Sequence, residues 1–218
     1  MIYAILFIIS YLLGSIPVGF LLVRAMGKGD IRKVSSGSTG ATNVARVGGL
    51  SAFIATWILD MAKSAAAVAI GAYFISPAFG AWCGFVAIVG HCYPVWLGFK
   101  GGKGNSSMFG TVLAVSPISF CVIGLEWLLV AISTGYSSAG AIVGFLVLAF
   151  LGFAISAPMG FAFMAIAAIC LWRHKDNIQR LINGTESKMQ MSPKKLALAL
   201  LGAGLVLALA VAVFGFVV

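Results

Sequence analysis

The chain has 218 residues, of which 61% are hydrophobic and only 9% are charged, and its mean hydropathy is +1.10. A soluble globular domain carries about 25% charged residues, so the composition excludes that class and indicates an integral membrane protein. The net charge of +9 does not indicate a nucleic-acid partner, because the basic residues lie in short blocks between apolar segments. We expect membrane lipid, and no nucleic acid, around this chain.

Long apolar segments alternate with short polar loops along the chain. A transmembrane helix needs about 20 apolar residues to cross the hydrocarbon core. This length predicts spans over 2–23, 51–75, 78–98 and 196–218. The first segment has no basic residues before it and is long for a signal peptide, so we interpret it as a retained helix.

The stretch 106–172 allows two interpretations. Pro117, a polar cluster over 133–138 and Pro158 divide it into four short helices in the first one. These helices would cover 106–116, 118–132, 138–156 and 158–172. The second interpretation has two long spans, over 106–132 and 138–172. The chain has seven spans before its last apolar segment in the first case and five in the second.

The basic residues predict the orientation of these segments. Thirteen of the 14 lysines and arginines fall in three loops, over 24–50, 99–105 and 173–195. Lysine and arginine concentrate in the cytoplasmic loops of membrane proteins. All three loops are therefore predicted to be cytoplasmic, and both termini are predicted to lie outside.

Two of these loops have patterns that fit an anion. The first loop has small and hydroxyl residues over 35–42 and then Asn43 and Arg46. Small residues let backbone N–H groups approach an anion, and an arginine can complete the site. Residues 100–104 of the second loop read Lys-Gly-Gly-Lys-Gly at a helix start, where exposed amides, helix potential and lysine charge predict a phosphate site. The alternatives are a solvated linker and a glycine turn with interfacial lysines.

The third loop contains His174 and Asn177 at a spacing that places both on one face of a helix. His174 could serve as acid, base or hydrogen-bond donor. The alternative is a basic amphipathic helix that contacts anionic lipid.

Three charged residues fall inside predicted spans. Asp60 and Lys63 lie three residues apart, and Glu126 has no obvious local partner. Charges inside a membrane are functional candidates by default, and a structural ion pair is the alternative for Asp60 and Lys63. The four cysteines, at 83, 92, 121 and 170, form no C-x-x-C pair, so we interpret them as buried thiols.

The polar motifs together resemble those of the PlsY family, the bacterial acyl-phosphate:glycerol-3-phosphate acyltransferases. Six matches occur in the family's order and cover the chain from about 10 to 186. They are Gly14-Ser15-Ile16-Pro17; Ser36-Gly37, Gly40-Ala41-Thr42-Asn43 and Arg46; Asp60 and Lys63; Gly90-His91 and Tyr93-Pro94; residues 100–104; and Arg173-His174, Asn177-Ile178, Arg180-Leu181 and Gly184-Thr185-Glu186.

The resemblance implies transfer of an acyl chain from acyl-phosphate to the 1-hydroxyl of glycerol 3-phosphate, giving lysophosphatidic acid and phosphate. It implies these two substrates as partners, no cofactor, no metal and a monomer in the bacterial inner membrane with a cytoplasmic active site. By matching position, the catalytic residues would be Ser36, Lys103, His174 and Asn177. The residues that bind substrate or phosphate would be Thr42, Asn43, Arg46, Gly101, Gly102, Gly104, Ser138 and Glu186.

Ser138 reaches the cytoplasmic side only if 106–172 forms four helices. The resemblance therefore favours an all-α polytopic membrane protein with a seven-helix core, several short helices, and an additional C-terminal transmembrane helix. Residues 1–186 would form the membrane-embedded acyltransferase-like domain, and 187–218 a basic connector followed by that helix.

Two alternative functions stay open in the sequence. The chain departs from the family pattern at Ser38, Thr39, Ser64, Gly135 and 105–108, so a divergent paralogue without this activity is one alternative. A membrane transporter that binds phosphate or lipid is the other. Transporters favour interrupted helices and charges at the midplane, often in repeated halves. Here the polar motifs gather on one face, which favours an interfacial enzyme.

Overall fold

The computed structural model describes residues 1–189 together with Leu198 and Gly202. That part of the chain folds into helices and contains no strand. They are α1 (Ile2–Ser15), α2 (Val18–Ala25), α3 (Ala41–Phe74), α4 (Pro77–Cys92), α5 (Asn105–Val115), α6 (Pro117–Thr134), α7 (Ser137–Ile155), α8 (Ala157–Arg173) and α9 (Lys175–Ile182). Short 3-10 turns occur at Ile31–Lys33 and Val95–Leu97.

The seven-helix core is confirmed, and the two-span interpretation of 106–172 is wrong. The first span consists of α1 and α2, and α3 to α8 supply the other six helices. Five described segments are long and apolar enough to cross a membrane: Ile2–Ala25, Ala41–Phe74, Pro77–Leu97, Pro117–Thr134 and Ser137–Ile155. The protein is therefore a multi-pass membrane protein. Except for Leu198 and Gly202, the predicted helix 196–218 lies outside the described residues, and the domain boundary after 186 stays a prediction.

Serine and proline set the starts of three helices. Ser76, Ser116 and Ser156 precede α4, α6 and α8, and each hydroxyl accepts a hydrogen bond from the backbone N–H three residues later. A proline occupies the first or second helical position in all three, where its missing N–H costs nothing and its fixed φ suits the helix. Two of these helix starts, those of α6 and α8, divide 106–172 into shorter helices.

Two breaks modify the predicted spans. The first span breaks at Ile16 and Pro17, because proline cannot donate to the helix and disfavours helical geometry in the residue before it. Helix α3, which contains the second predicted span, begins at Ala41, ten residues before the predicted start at 51. It breaks at Gly49, whose φ of 72° is left-handed. The prediction that the first loop continues to residue 50 is therefore wrong.

Close backbone contacts bring neighbouring helices together. A Cβ atom on Gly14 of α1 would lie 1.9 Å from the Ala87 carbonyl oxygen of α4, and one on Gly110 of α5 would lie 2.1 Å from the Met61 oxygen of α3. Small residues permit this approach in membrane bundles, where van der Waals packing drives association. Helix α5 has only 11 residues, so it is about 16 Å long, and it is buried along most of its length. Its N-terminus faces the polar site.

Candidate active site

A cavity of about 810 Å³ lies among α3, α5, α6, α7 and the α9 region. Polar and charged side chains line its first part, which we call the polar head. Nine predicted site residues line this part: Ser36, Thr42, Asn43, Arg46, Lys103, Ser138, His174, Asn177 and Glu186. Among the predicted glycines, Gly101 lines a smaller cavity next to it, and Gly102 and Gly104 lie in the loop behind.

Apolar side chains line the second part of the cavity, which we call the apolar arm. They include Phe53, Trp57, Phe109, Leu113, Phe120 and Leu128. Trp57 and Phe120 both pack edgewise against Phe109, with ring centroids 6.1 and 5.8 Å apart. Cys121 and Leu125 also line the arm and are exposed on α6. The arm therefore reaches the lipid-facing surface of the bundle.

Asn43 gives the first loop its shape. Its side-chain amide nitrogen donates toward the carbonyl oxygens of Ile31, Val34 and Ser38 at 3.3, 3.0 and 2.9 Å. Its oxygen accepts from Arg46 at 3.3 Å. These contacts position the loop, and the contact of Asn43 with substrate stays a prediction.

The hydroxyls and the guanidinium of the first loop remain at the cavity surface. Arg46 donates to the Ser35 hydroxyl at 2.8 Å. The hydroxyls of Thr42 and Ser137 lie 3.4 Å apart, and this contact joins the start of α3 to the start of α7. Ser36 is exposed and lines both cavities. These groups can contact an anion without first breaking a buried hydrogen bond.

The N–H groups of Gly101 and Gly102 are not exposed as the sequence predicts. The N–H of Gly101 donates to the Cys92 carbonyl at 3.2 Å, and that of Gly102 donates to the His91 carbonyl at 3.0 Å. Arg173 donates from Nε and Nη2 to the Gly102 carbonyl at 3.1 Å each. The two glycines allow this packing, because a Cβ atom on either would lie within 2.2 Å of His91. This packing positions the neighbouring Lys103.

Gly104 turns the loop into α5. Its φ of 90° is left-handed, and a Cβ atom there would lie 2.7 Å from the Cys170 sulfur. Glycine adopts this geometry without strain. Helix α5 begins with Asn105 and Ser106, which line the polar head, and a helix N-terminus favours negative charge.

A chain of hydrogen bonds joins the predicted residues of three distant segments. The Lys103 ammonium donates to Asn177 Oδ1, and Asn177 Nδ2 donates to Glu186 Oε1 at 2.7 Å. The same carboxylate accepts from the Ser138 hydroxyl at 2.8 Å and, through Oε2, from Arg180 Nε at 2.6 Å. A lysine can only donate and a carboxylate can only accept, so these neighbours fix the orientation of the Asn177 amide.

The charges of this network differ from those of free side chains. Burial and, next, the neighbouring positive charge of Arg180 together lower the pKa of Lys103 to about 8. For Glu186, partial burial opposes ionisation, but hydrogen bonds from Ser138, Arg180 and Asn177 outweigh it and lower the carboxyl pKa. Near neutral pH the site therefore contains an ionised Glu186 and a Lys103 that is still mostly protonated.

His174 lies at the joint between α8 and α9, buried against Phe145 with ring centroids 5.1 Å apart. Its Nδ1 atom is 2.8 Å from the Cys170 carbonyl oxygen. A carbonyl can only accept, so Nδ1 carries the proton. In the neutral ring Nε2 is then an acceptor, and the side chain lines the polar head. This tautomer suits a proton acceptor.

A smaller cavity of about 250 Å³ adjoins the polar head. Ser36, Lys103 and Arg180 line both cavities. The smaller one is also lined by Lys100, Arg173 and Asp176, so cations outnumber carboxylates around it. The two cavities together can accept two anionic groups, one on each side of Lys103.

The sequence did not single out Arg173 and Arg180 as site residues. Arg173 follows an apolar segment, and Arg180 lies in a polar one. Their contacts with the glycine loop and with Glu186 assign them to the site. The expectation of buried thiols is confirmed for Cys83, Cys92 and Cys170 and wrong for Cys121, which is exposed.

Comparison with known proteins decides the family. A family model described as glycerol-3-phosphate acyltransferase matches residues 4–184. A glycerol-3-phosphate acyltransferase of Rhizobium etli is 46% identical over 183 residues, which are 84% of this chain and 89% of that protein. One of Brucella canis is 42% identical over 183 residues, again 84% of this chain, and 90% of that protein.

This chain belongs to the glycerol-3-phosphate acyltransferase family. Its fold is similar to that of PlsY (YgiH), an integral membrane glycerol 3-phosphate acyltransferase, solved in a glycerol 3-phosphate form. The TM-score is 0.80 at 34% identity, over 86% of this chain and 96% of that one. For a lysophosphatidic acid form of PlsY the TM-score is 0.78 at 33% identity, over 86% and 95%. The protein is thus a membrane-embedded acyltransferase of lipid synthesis.

The charge of Lys103 generates a testable pH dependence. Below its pKa of about 8 the ammonium can bind a phosphate oxygen, and above it the site loses a positive charge. We expect the affinity for glycerol 3-phosphate, used as a probe, to fall about tenfold per pH unit above pH 8. Isothermal titration calorimetry on the detergent-solubilised protein measures this change.

The matched control is Lys103→Arg, because arginine stays charged at every pH tested. Its affinity should remain flat between pH 7 and about 10, even if the absolute value is lower. An equal fall in both proteins would contradict the assignment of the titrating charge to Lys103.

Proposed function

We propose that this protein transfers an acyl chain from an acyl-phosphate to the 1-hydroxyl of glycerol 3-phosphate, and releases lysophosphatidic acid and inorganic phosphate. The observation that carries the proposal is a single cavity in which a cationic polar head continues into an apolar arm. An acyl-phosphate has the same two parts in the same order. The glycerol 3-phosphate and lysophosphatidic acid forms of the similar solved enzyme support it.

The two cavities suggest where each substrate binds. The acyl chain occupies the apolar arm, and its phosphate lies in the polar head near Arg46 and Lys103. Glycerol 3-phosphate carries no apolar part, so its phosphate suits the smaller cavity beside Lys100 and Arg173. Lys103 lies between the two sites, which brings the acyl carbonyl and the attacking hydroxyl together. Such positioning supplies much of the rate enhancement in group transfer.

His174 accepts the proton during the transfer. The 1-hydroxyl oxygen forms a bond to the acyl carbonyl carbon, and the bond from that carbon to the phosphate oxygen breaks. The electron pair leaves with the phosphate, and the hydroxyl proton passes to Nε2 of His174, whose Nδ1–H donates to the Cys170 carbonyl. Phosphate is a good leaving group, so assistance from one neutral imidazole suffices.

Lys103 stabilises the charge that develops on the departing phosphate. Its ammonium is already oriented by Asn177, and Asn177 is oriented by Glu186. A preorganised donor needs no rearrangement as the charge forms, which makes it more effective than a solvent molecule. One chain supplies every residue in this account, so we propose a monomer as the catalytic unit.

The donor is tested with purified protein, palmitoyl phosphate and labelled glycerol 3-phosphate. We expect labelled lysophosphatidic acid and an equal amount of inorganic phosphate. Parallel reactions contain palmitoyl-CoA in place of palmitoyl phosphate and should give no product. Product from the thioester alone would contradict the acyl-phosphate donor, and product from neither would favour a divergent paralogue or a transporter.

The role of His174 is tested by His174→Ala. General-base assistance contributes about 10²–10⁴-fold, so we expect turnover at saturating substrate to fall at least about a hundredfold. Lys175→Ala is the matched control, because its exposed side chain lies outside both cavities, and it should keep wild-type kinetics. A raised Michaelis constant for glycerol 3-phosphate with unchanged turnover would show binding alone.

The proposal includes the bacterial inner membrane, with the polar head at its cytoplasmic face. All three basic loops contribute residues to the two cavities, so they lie on one side of the bundle. The concentration of lysine and arginine in cytoplasmic loops then indicates which side this is.

Cysteine labelling in intact cells tests this orientation. In a variant whose four native cysteines are replaced, we expect Lys188→Cys to resist an impermeant reagent added outside. Ile75→Cys, in the turn between α3 and α4 at the opposite end, should be labelled under the same conditions. The reverse pattern would overturn the orientation.

A further inference from the structure

A second polar cluster lies inside the bundle, next to the glycine loop. Asp60, Lys63 and His91 are almost completely buried, with 1%, 7% and 5% of their surfaces exposed. Lys63 Nζ lies 2.8 Å from Asp60 Oδ1, so the two residues form the ion pair that the sequence predicts as one alternative. His91 joins this pair from α4. The reaction steps described above use none of the three.

The contacts of Lys63 determine which nitrogen of His91 carries a proton. An ammonium group has three N–H donors. They face the Ile16 carbonyl at 2.8 Å, Asp60 Oδ1 at 2.8 Å and His91 Nδ1 at 3.1 Å. The distance from His91 Nδ1 to Asp60 Oδ1 is 3.4 Å, longer than an ordinary N–H···O hydrogen bond. His91 Nδ1 therefore accepts from Lys63, and the proton of the neutral ring lies on Nε2.

The Nε2 side of His91 faces the glycine loop. A Cβ atom on Gly102 would lie 2.0 Å from Nε2, so the ring fits only because residue 102 has no side chain. His91 also lines the large cavity. Among the described residues, Nε2 has no hydrogen-bond partner. A donor that is fixed in direction and unpartnered therefore lies at the cavity wall beside Lys103.

We propose that His91 is a further substrate-binding residue, which donates from Nε2–H to a phosphate oxygen bound beside Lys103. Asp60 and Lys63 are positioning residues that maintain this tautomer. The two histidines then have opposite roles, because His174 presents an Nε2 acceptor and His91 an Nε2–H donor. Placement of both on the cavity wall gives one group for the attacking hydroxyl and another for a phosphate.

The kinetic part of this inference rests on the proposed acyl transfer, but its tautomer part does not. The chain contains only two histidines. Protein labelled with 15N-histidine and purified without a histidine tag therefore gives two imidazole spin systems by NMR. His174→Gln assigns them. We expect His91 to be protonated at Nε2 only. Protonation at Nδ1, or at both nitrogens, would overturn the inference whether or not the enzyme uses acyl-phosphate.

Titration with glycerol 3-phosphate, and separately with inorganic phosphate, shows whether this donor meets the ligand. At least one of the two should shift the His91 Nε2 resonance. If calorimetry shows that both ligands bind and neither shifts this resonance, His91 is a structural residue only. A shift with inorganic phosphate alone assigns the donor to the phosphate of the acyl donor, and a shift with glycerol 3-phosphate assigns it to the acceptor.

Kinetics of variants test the coupling between the cluster and the donor. His91→Phe should lower kcat/KM about 10- to 100-fold, because it removes a hydrogen bond to a charged group. His91→Gln, whose amide nitrogen replaces Nε2, should recover most of that loss. Equal losses in the two variants, in protein that elutes as the wild type on gel filtration, would contradict a donor at this position.

A double-mutant comparison separates positioning from packing. Asp60→Asn with Lys63→Met removes both buried charges at once, so neither is left unpaired. This pair should lower kcat/KM about tenfold or more when residue 91 is histidine, and less than about threefold when it is glutamine, which has no tautomers. The same loss in both backgrounds would mean that Asp60 and Lys63 act only by supporting the bundle.

Discussion

The hydrogen bond from Lys103 to Asn177 is the contact around which the site is arranged. An ammonium group inside an apolar bundle is costly unless its protons are used. Here the amide of Asn177 accepts one, and Glu186 fixes that amide while Ser138 and Arg180 satisfy the carboxylate. Residues that are far apart in the chain therefore act as one network, and a change at one of them disturbs the others.

The glycine loop connects this network to the second polar cluster. Its amide groups bond to the end of α4, and Arg173 of α8 binds its carbonyls. His91 supplies one of those α4 carbonyls and also contacts Lys63, which in turn caps the break in the first span at Ile16. Non-helical backbone in an apolar bundle needs partners for its polar groups. These contacts provide them and keep Lys103 in place.

Several residues that the family resemblance assigns to substrate binding also make contacts that position other residues. Asn43 uses its amide to shape the first loop, and Gly101 and Gly102 use theirs to dock the second. The sequence pattern alone cannot separate these roles, because a small or amide residue near an anion site fits both. Arg173 shows the opposite case, since its position after an apolar segment resembles that of a lipid-facing charge, yet it binds the glycine loop.

The sequence by itself determined the membrane class, and its resemblance to the family predicted the seven helices of the core and nine of the side chains that line the cavity. The length of an apolar segment and the serine and proline residues that begin a helix are local signals. They predict helices reliably because each helix forms its own backbone hydrogen bonds. Only the tertiary structure decided the direction of the glycine amides, the tautomers of His91 and His174, and the aromatic residues of the apolar arm. These depend on which helix faces which, and several of the described membrane-spanning helices are apolar enough to have supplied such an arm.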